Sequence, residues 1–243
     1  MPIGIIINSF SILIGGILGA AAGNKLTAEF KANLQMIFGL CSMGMGISTI
    51  VLMENMPAVI FSIIIGTCAG LVIHLGDRIQ GGAGLMQRGI SRFVKNRNSS
   101  ISEKEFMSSL VTVIVLFCAS GTGIYGSIVS GMSGDHSILI AKSILDLFTA
   151  MIFACSLGMV VSFISVPHFL IFLLLFLAAG MIYPMTTPAM INDFKACGGF
   201  LIFATGFRMI HVKMFPVADM IPAMIFVMPI SWFWVNVILP YVS

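Results

Sequence analysis

The chain has 243 residues, of which 58% are hydrophobic and only 9% are charged, and its formal net charge is +3. Because a soluble domain carries about 25% charged residues, this composition excludes an ordinary water-soluble globular protein. The small net charge gives no reason to expect a nucleic-acid partner. Most charges fall in short gaps between apolar runs of about 18 residues or more. This pattern predicts an all-α, polytopic bundle of about eight transmembrane helices, forming a single transmembrane domain over residues 1–243.

The first predicted helix covers residues 3–22 and has no basic residue before it. It is therefore interpreted as a transmembrane helix rather than a cleaved signal peptide. Gly15, Gly19 and Gly23 recur at every fourth position, and such a stripe of small residues lets another helix approach closely. The stripe either packs inside the bundle or forms the contact surface of a homo-oligomer. Asn8 in the same helix either faces a polar path or makes a buried hydrogen bond to another helix.

Predicted helices 2 and 3, at residues 33–52 and 57–75, are followed by a long polar stretch at residues 76–105. Its basic residues are Arg78, Arg88, Arg92, Lys95, Arg97 and Lys104. Short loops rich in basic residues stay on the cytoplasmic side, so we expect a cytoplasmic basic loop here. Its part at residues 85–94 is amphipathic and either lies on the anionic membrane surface or is solvated. With eight helices, both termini are then expected outside the cytoplasm, which reporter fusions would check.

Predicted helix 4, at residues 106–132, is too long and too rich in glycine to be uniform. The sequence Ser120-Gly121-Thr122-Gly123 lies near its centre. One interpretation is that the helix unwinds there and exposes backbone groups, together with the side chains of Ser120 and Thr122, to a cavity. The other is a close crossing of two intact helices lined by these glycines.

A turn at Gly134 and Asp135 leads into predicted helix 5, at residues 137–165. Asp135 is interpreted either as a helix cap or as a direct ligand of a transported solute. In the first half of the helix, Lys142 and Asp146 are four residues apart, so both lie on one helix face. Ionisable side chains at membrane depth cost about 2.5 to 3.5 kcal/mol each and indicate a functional site.

The Lys142 and Asp146 side chains allow two interpretations. They either form a sealed ion pair that holds helix 5 to its neighbours, or line a hydrated cavity together with Ser143 and Thr149. We favour the cavity, because the attraction between two charges does not readily offset the free energy of removing both from water.

Predicted helices 6, 7 and 8 cover residues 167–183, 193–207 and 217–237. His168 and His211 lie beside proposed loops, so we expect both to be exposed or interfacial. A shift of 159 positions superposes helices 1–2 on helices 6–7, with Ala20 on Ala179, and a six-residue insertion then places helix 3 on helix 8. Because this offset spans five helices, the two copies have opposite orientations. Inverted repeats around a broken helix 4 and helix 5 are typical of transporters.

Five segments resemble one known family over nearly the whole chain. They are INSFSILIGGILGAAAG, LFCASGTGIYG, SGDHSILIAKSILDLFTAMIFACSLG, TTPAMINDFKACGGFLIFATGFRM and KMFPVADMIPA. On these segments the chain resembles the YqgA-like bacterial inner-membrane proteins, grouped as domain of unknown function 554. The family pattern of GD, then KS and D, falls on Gly134, Asp135, Lys142, Ser143 and Asp146. The resemblance implies a multi-pass protein of the bacterial inner membrane and supplies no established activity.

The leading functional hypothesis is a channel or secondary transporter of a small solute or ion across the lipid bilayer. Its predicted path residues are Asp146, Lys142, Ser143, Thr149, Asp135, Ser120, Thr122 and Asn8. No nucleotide-binding or hydrolase motif is present, and no cysteine or histidine pair has metal-ligand spacing. We therefore expect neither enzyme activity nor a cofactor or metal. The alternative is a membrane scaffold or signalling partner that acts through the basic loop without transport.

Overall fold

A computed structural model describes residues 1–22, 27–91 and 103–242, and these residues form helices without any strand. The helices are α1 (Ile3–Ala22), α2 (Ala28–Ile50), α3 (Met56–Val72), α4 (Leu75–Ser91), α5 (Glu103–Cys118), α6 (Gly121–Ser133), α7 (Ser137–Leu157), α8 (Val160–Phe163), α9 (Ser165–Ile182), α10 (Pro188–Met209), α11 (Val217–Met220), α12 (Pro222–Phe233) and α13 (Leu239–Val242). The all-α prediction is confirmed. Gly23, Arg92, Lys95 and Arg97 lie outside the described residues.

Several helices are long and apolar enough to cross a membrane. Within the described residues there are six such candidates: Ile3–Ala22, Glu29–Ile50, Ser109–Ser133, Ser137–Leu157, Val160–Met181 and Val217–Tyr241. The pair α3–α4, bent by 59°, qualifies as a seventh when taken together. Large apolar side chains on these helices face outward, such as Phe10, which is 58% exposed, and Leu174, which is 68% exposed. Such faces fit contact with lipid, and the chain is a membrane protein.

The predicted break in helix 4 is confirmed. α5 ends at Cys118 and α6 begins at Gly121, with Ser120 as the N-cap residue. The backbone N–H of Gly123 donates to Ser120 Oγ at 3.1 Å, which satisfies one of the N–H groups that a helix start leaves unpaired. Gly123 also packs against the ring of Phe172, so the glycine sequence provides both an interruption and a close crossing.

Two other predicted helices are interrupted. Predicted helix 5 ends at Leu157 rather than continuing to residue 165, because Gly158 adopts a φ of 76°, in the region that favours glycine. Predicted helix 8 is divided into α11, α12, the π-helix Trp234–Ile238 and α13. Pro229 lies inside α12 and lacks the N–H of a regular helical hydrogen bond, which weakens the regular pattern there.

The predicted basic loop differs from the structure over its first half. Residues 75–91 form α4 instead of a loop, and α4 follows α3 after a sharp bend at His74, whose φ is 51°. The carboxylate of Asp219 accepts a hydrogen bond of 2.8 Å from the backbone N–H of Gly76 and so caps the start of α4. This cap comes from a residue far along the chain and was not visible in the local sequence.

The chain divides into two compact units. Unit 1 is Met1–Met36 with Arg78–Ala179, and unit 2 is Ile37–Asp77 with Gly180–Ser243. The large apolar core of unit 1 is built mainly on α5, α7 and α8 and includes Phe106, Leu110 and Phe117.

In unit 1, α1 and α7 run parallel at close distance. Their tight contacts are Gly4 with Leu139, Gly15 with Ala150, and Gly19 with Ala154. Parallel helices that both cross a membrane need an odd number of crossings between them, and the predicted topology places three there, helices 2, 3 and 4. The predicted topology gives these two helices the same direction.

The other helix pairs of unit 1 follow from similar contacts. Helices α6 and α7 form an antiparallel hairpin, since Ser130 contacts His136 and Gly126 contacts Leu139. Helices α6 and α9 are parallel: Gly123 meets Phe172 and Gly131 meets Ala179. Consequently α1 and α9 are antiparallel.

Unit 2 contains two antiparallel pairs. Helices α2 and α10 cross where Gly46 meets Gly199 and Gly39 meets Gly206. In the second pair, α3 packs on α12 through Gly66 and Ala223, and then on α11 through Gly70 and Asp219. Each crossing brings backbones together at a glycine, as small residues allow in membrane helices.

We predict that Gly19→Leu prevents stable folding, because its side chain would collide with the Met151 carbonyl oxygen and with Ala154 Cβ. Overpacking costs about 1–3 kcal/mol and more where backbone must move. Thermal unfolding and size-exclusion profiles in mild detergent measure this effect. The matched control is Gly44→Leu on α2, where an added Cβ meets nothing within 4 Å. A stable Gly19→Leu protein changed only in oligomeric state would instead support the homo-oligomer interpretation of Gly15, Gly19 and Gly23.

Candidate functional site

The candidate site begins with the position of Asn8 on α1. Asn8 lies on the same face as Gly4, Gly15 and Gly19, which pack against α7. The close approach of the two helices allows the short Asn8 side chain to reach α7, and Asn8 is 0% exposed. Of the two interpretations of Asn8, the structure shows the buried interhelical hydrogen bond.

Asp146 of α7 is the centre of the site. Asn8 Nδ2 donates to Asp146 Oδ2 at 2.7 Å, and Lys142 Nζ donates to the same oxygen at 2.5 Å. The Lys142 and Asp146 side chains are only 5% and 9% exposed. The spacing of four residues therefore produces a direct, buried ion pair, and Asn8 ties that pair to a second helix. Of the two interpretations of this pair, the observed conformation matches the ion pair.

The two halves of the broken helix contact different residues of this region. The ring centroid of Phe117, next to the end of α5, is 5.9 Å from Lys142 Nζ, within the range of a cation–π interaction. In the first turn of α6, Gly123 packs against Phe172, and Phe172 packs against His168 with ring centroids 4.1 Å apart and ring planes tilted by 55°. The α5–α6 span thus contacts the ion pair of α7 through Phe117 and Phe172 of α9 through Gly123.

His168 is a site residue that the sequence analysis placed wrongly. It was expected to be exposed or interfacial, yet it is 0% exposed on α9. Its Nδ1 lies 2.8 Å from Ser9 Oγ on α1, in a hydrogen bond whose direction depends on the tautomer. The 159-residue shift of the predicted repeat aligns Ser9 with His168. The repeat was therefore the sequence feature that linked these two positions. His211 lies in the turn that follows α10, where its backbone N–H donates to the Arg208 carbonyl oxygen, and it is exposed, as expected.

Two buried polar side-chain atoms have no hydrogen-bond partner among the described residues: Asn8 Oδ1 and His168 Nε2. Both belong to fully buried side chains. A buried polar atom without a partner costs about 1–3 kcal/mol, so each of these two atoms favours an additional polar partner.

The remaining predicted path residues take separate positions. Ser143 donates to the carbonyl oxygen of Leu139 within α7 at 2.6 Å, and Thr149 is buried one turn beyond Asp146. Thr122 is buried in the first turn of α6, next to the capping residue Ser120. None of these residues makes one of the two hydrogen bonds to Asp146 described above.

Asp135 lies one residue before His136, which occupies the N-cap position of α7 and makes no side-chain cap hydrogen bond, so the predicted N-cap role of Asp135 is not observed. Its Oδ1 accepts a hydrogen bond of 3.0 Å from the backbone N–H of Ser137 at the start of α7. The side chain is partly exposed and lies in the turn between α6 and α7. It therefore shapes the entry into α7 rather than joining the ion pair.

Unit 2 holds a second buried carboxylate that sequence reasoning did not select. Asp193 on α10 is 0% exposed and accepts hydrogen bonds from the backbone N–H groups of Glu54 and Asn55, at 3.0 and 2.8 Å. It also accepts from Asn55 Nδ2 at 2.8 Å and Ser231 Oγ at 2.6 Å. These neutral donors satisfy the carboxylate and fasten the α2–α3 connection. The available signal was an acidic residue at the edge of a predicted membrane helix.

Comparisons with known proteins cover nearly the whole chain. The model of a family described as a protein of unknown function (DUF554) matches residues 3–232. The chain is 44% identical to the uncharacterized protein YqgA of Escherichia coli (strain K12), covering 96% of this chain and 98% of that protein. It is 24% identical to the uncharacterized membrane protein YdfK of Bacillus subtilis (strain 168), covering 91% and 92%. No solved structure matches.

The ion pair predicts strong energetic coupling between its two partners. Lys142→Met or Asp146→Asn alone leaves the other charge buried and unpaired, so each should destabilise the protein by about 3–5 kcal/mol. Replacing both residues should recover much of that loss, because no unpaired charge remains. Unfolding of the wild type, the two single variants and the double variant in detergent measures the coupling free energy. Additive losses in the double variant would contradict a direct pair.

Proposed function

This chain belongs to the DUF554 family, and we propose that it is a channel or secondary transporter of a small solute or ion in the bacterial inner membrane. The observation that carries the proposal is the cluster of Asn8, Lys142 and Asp146. It joins a buried ion pair of α7 to the first helix, beside a broken helix and beside the Asn8 amide oxygen, which has no hydrogen-bond partner among the described residues.

The free-energy cost of this cluster favours transport over a purely structural role. Apolar packing of similar volume stabilises a helix bundle at least as well as a buried ion pair does. Charges inside a membrane segment are expensive and mark solute or ion paths. Asp146 supplies a carboxylate that can take up a proton or a cation, and Lys142 balances its charge.

The orientation of the helices supports an inverted repeat. The predicted partners are α1 with α9, α2 with α10, and α3 with α12, and each pair is antiparallel within its own unit. Partners also meet near equivalent positions: the hydrogen bond of Ser9 with His168 joins two residues that are 159 apart, the shift of the repeat. In α2 and α10, Ser42 donates to the Ile202 carbonyl oxygen, 160 residues away. Contacts of this kind are expected near a two-fold axis.

The energy source follows from the sequence. A P-loop would supply backbone N–H groups and a lysine to bind nucleotide phosphates, and the chain contains no such motif. We therefore propose passive movement or coupling to an ion gradient. The half-helix ends at the α5–α6 break provide backbone dipoles of the kind that transporters direct at substrates.

A membrane scaffold or signalling partner is the second candidate function, and one observation favours it. Helix α4 carries Arg78 and Arg88 and exposes Leu85 by 67%, which gives it the character of an amphipathic helix for a partner or a membrane surface. This role needs no water at α7, so water accessibility separates the two candidates.

We expect cysteines at positions 142, 146 and 149 to react with a small, charged, membrane-impermeant thiol reagent in native membranes, because a transport path hydrates during its cycle. The background for the test replaces the five native cysteines. A cysteine at position 144, where Ile144 is 59% exposed on the lipid-facing side of α7, is the matched control and should react slowly. Labelling rates measured by mass shift give the comparison.

Unreactive cysteines at all three path positions, in variants that fold, would contradict the transport proposal. That outcome would leave α7 as a structural helix and favour the scaffold function.

A further inference from the structure

We propose that the α10–α11 connection, residues 210–216, binds the headgroup of an anionic phospholipid and inserts its apolar side chains into the same leaflet. The inference is independent of the proposed transport function and concerns a surface of unit 2 rather than the site at Asp146. Its starting point is the sequence of the connection, in which Lys213 stands between the apolar residues Val212 and Met214.

The apolar side chains of the α10–α11 connection have little protein around them. Val212 is 65% exposed, Met214 is 62% exposed and Phe215 is 39% exposed. Exposed apolar side chains in neighbouring positions indicate contact with another molecule, and for a membrane protein the acyl chains of lipid are always at hand. A lysine among them can keep its ammonium at the level of the headgroups while its stem lies along the apolar layer.

The contacts of α10 place the connection at the membrane boundary. Gly39 of α2 packs against Ile210, the first residue of the connection, and α2 runs antiparallel to α10. One turn before Gly39, the polar start of α2 ends at Gln35, and a largely apolar run begins at Met36. The apolar layer therefore ends close to Ile210, and the residues that follow reach headgroup level.

Several contacts hold the connection in a defined conformation. Arg208 Nη1 donates to the carbonyl oxygen of Phe215 at 2.9 Å, which closes residues 208–215 into a loop. The ring of Phe215 packs edge-on against Phe207 with a centroid distance of 5.8 Å, and His211 adopts a φ of 57° at the turn. A loop that is already ordered loses less conformational entropy when it binds a ligand.

The charge of this surface selects an anionic headgroup. Arg208 and Lys213 supply positive charge, and no Asp or Glu occurs between residues 194 and 218. The next acid, Asp219, accepts a hydrogen bond from the backbone N–H of Gly76 and so caps α4. Two basic side chains beside exposed apolar residues match the phosphate and the acyl chains of an anionic phospholipid.

Quenching of tryptophan fluorescence by brominated lipid tests this inference on the full-length protein in vesicles. Met214→Trp is made in a background that carries Trp232→Phe and Trp234→Phe. The vesicles contain equal amounts of phosphatidylglycerol, which is anionic, and phosphatidylcholine, which has no net charge, and only one of the two is brominated. We expect quenching at position 214 to show a preference of about threefold or more for phosphatidylglycerol. Added salt should reduce this preference, because exposed charges are screened.

Variants assign the preference to Lys213. Lys213→Gln should lower it by about half or more, whereas Lys213→Arg keeps the charge and should retain it. The matched control is Met185→Trp in the same background. Met185 is 81% exposed at the other end of α10, in the α9–α10 connection, and has no basic residue beside it, so no preference is expected there. If Met214→Trp does not fold, Val212→Trp carries the test.

Three results would overturn the inference. One is equal quenching by the two lipids at position 214, and another is a preference that Lys213→Gln leaves unchanged. The third is the absence of quenching by either lipid, which would place the connection in water and favour a soluble partner protein. None of these results bears on water access to Lys142 and Asp146, so the transport proposal stands or falls separately.

Discussion

The carboxylate of Asp146 cannot remain bare at membrane depth, and the structure of unit 1 depends on this constraint. Its two donors come from different places: Lys142 lies one turn earlier on α7, and Asn8 lies on α1. The lysine supplies charge, and the asparagine ties the pair to a second helix. Asn8 reaches that position only because Gly15 and Gly19 let α1 approach α7 closely, so helix packing and site chemistry share one cause.

The two units treat a buried acid in different ways. Asp193 in unit 2 is surrounded by neutral donors that satisfy both of its oxygens, and it joins three helical segments. Asp146 in unit 1 has a cation as its partner and lies beside an amide oxygen that no described residue satisfies. A fully satisfied network makes a rigid connection. Asp146 is instead paired with the charge of Lys142, and this difference is why the proposed function is placed at Asp146 rather than at Asp193.

Features set by local sequence could be predicted, and features set by distant contacts could not. The bounds of α1 and the break at Ser120 were predicted correctly, because apolar periodicity and glycine act within a few turns, and the family was recognised from its motifs. The i,i+4 spacing placed Lys142 and Asp146 on one helix face, but the hydrated cavity that we favoured is not the arrangement observed, which is a buried ion pair. The burial of His168 was read wrongly, since it depends on Ser9 and Phe172, which come from other parts of the fold. The helical start of the basic segment was missed for a similar reason: its cap, Asp219, lies more than half the chain away.

The most direct test is whether water reaches the buried ion pair of Lys142 and Asp146 in the membrane. Hydroxyl-radical footprinting of the unmodified protein in sealed vesicles, read by mass spectrometry, measures that access residue by residue. The transport proposal predicts oxidation of Phe117, which is fully buried and lies 5.9 Å from Lys142 Nζ, at a rate well above that of Leu110 in the apolar core of the same helix. Background oxidation of Phe117, equal to that of Leu110, would contradict it.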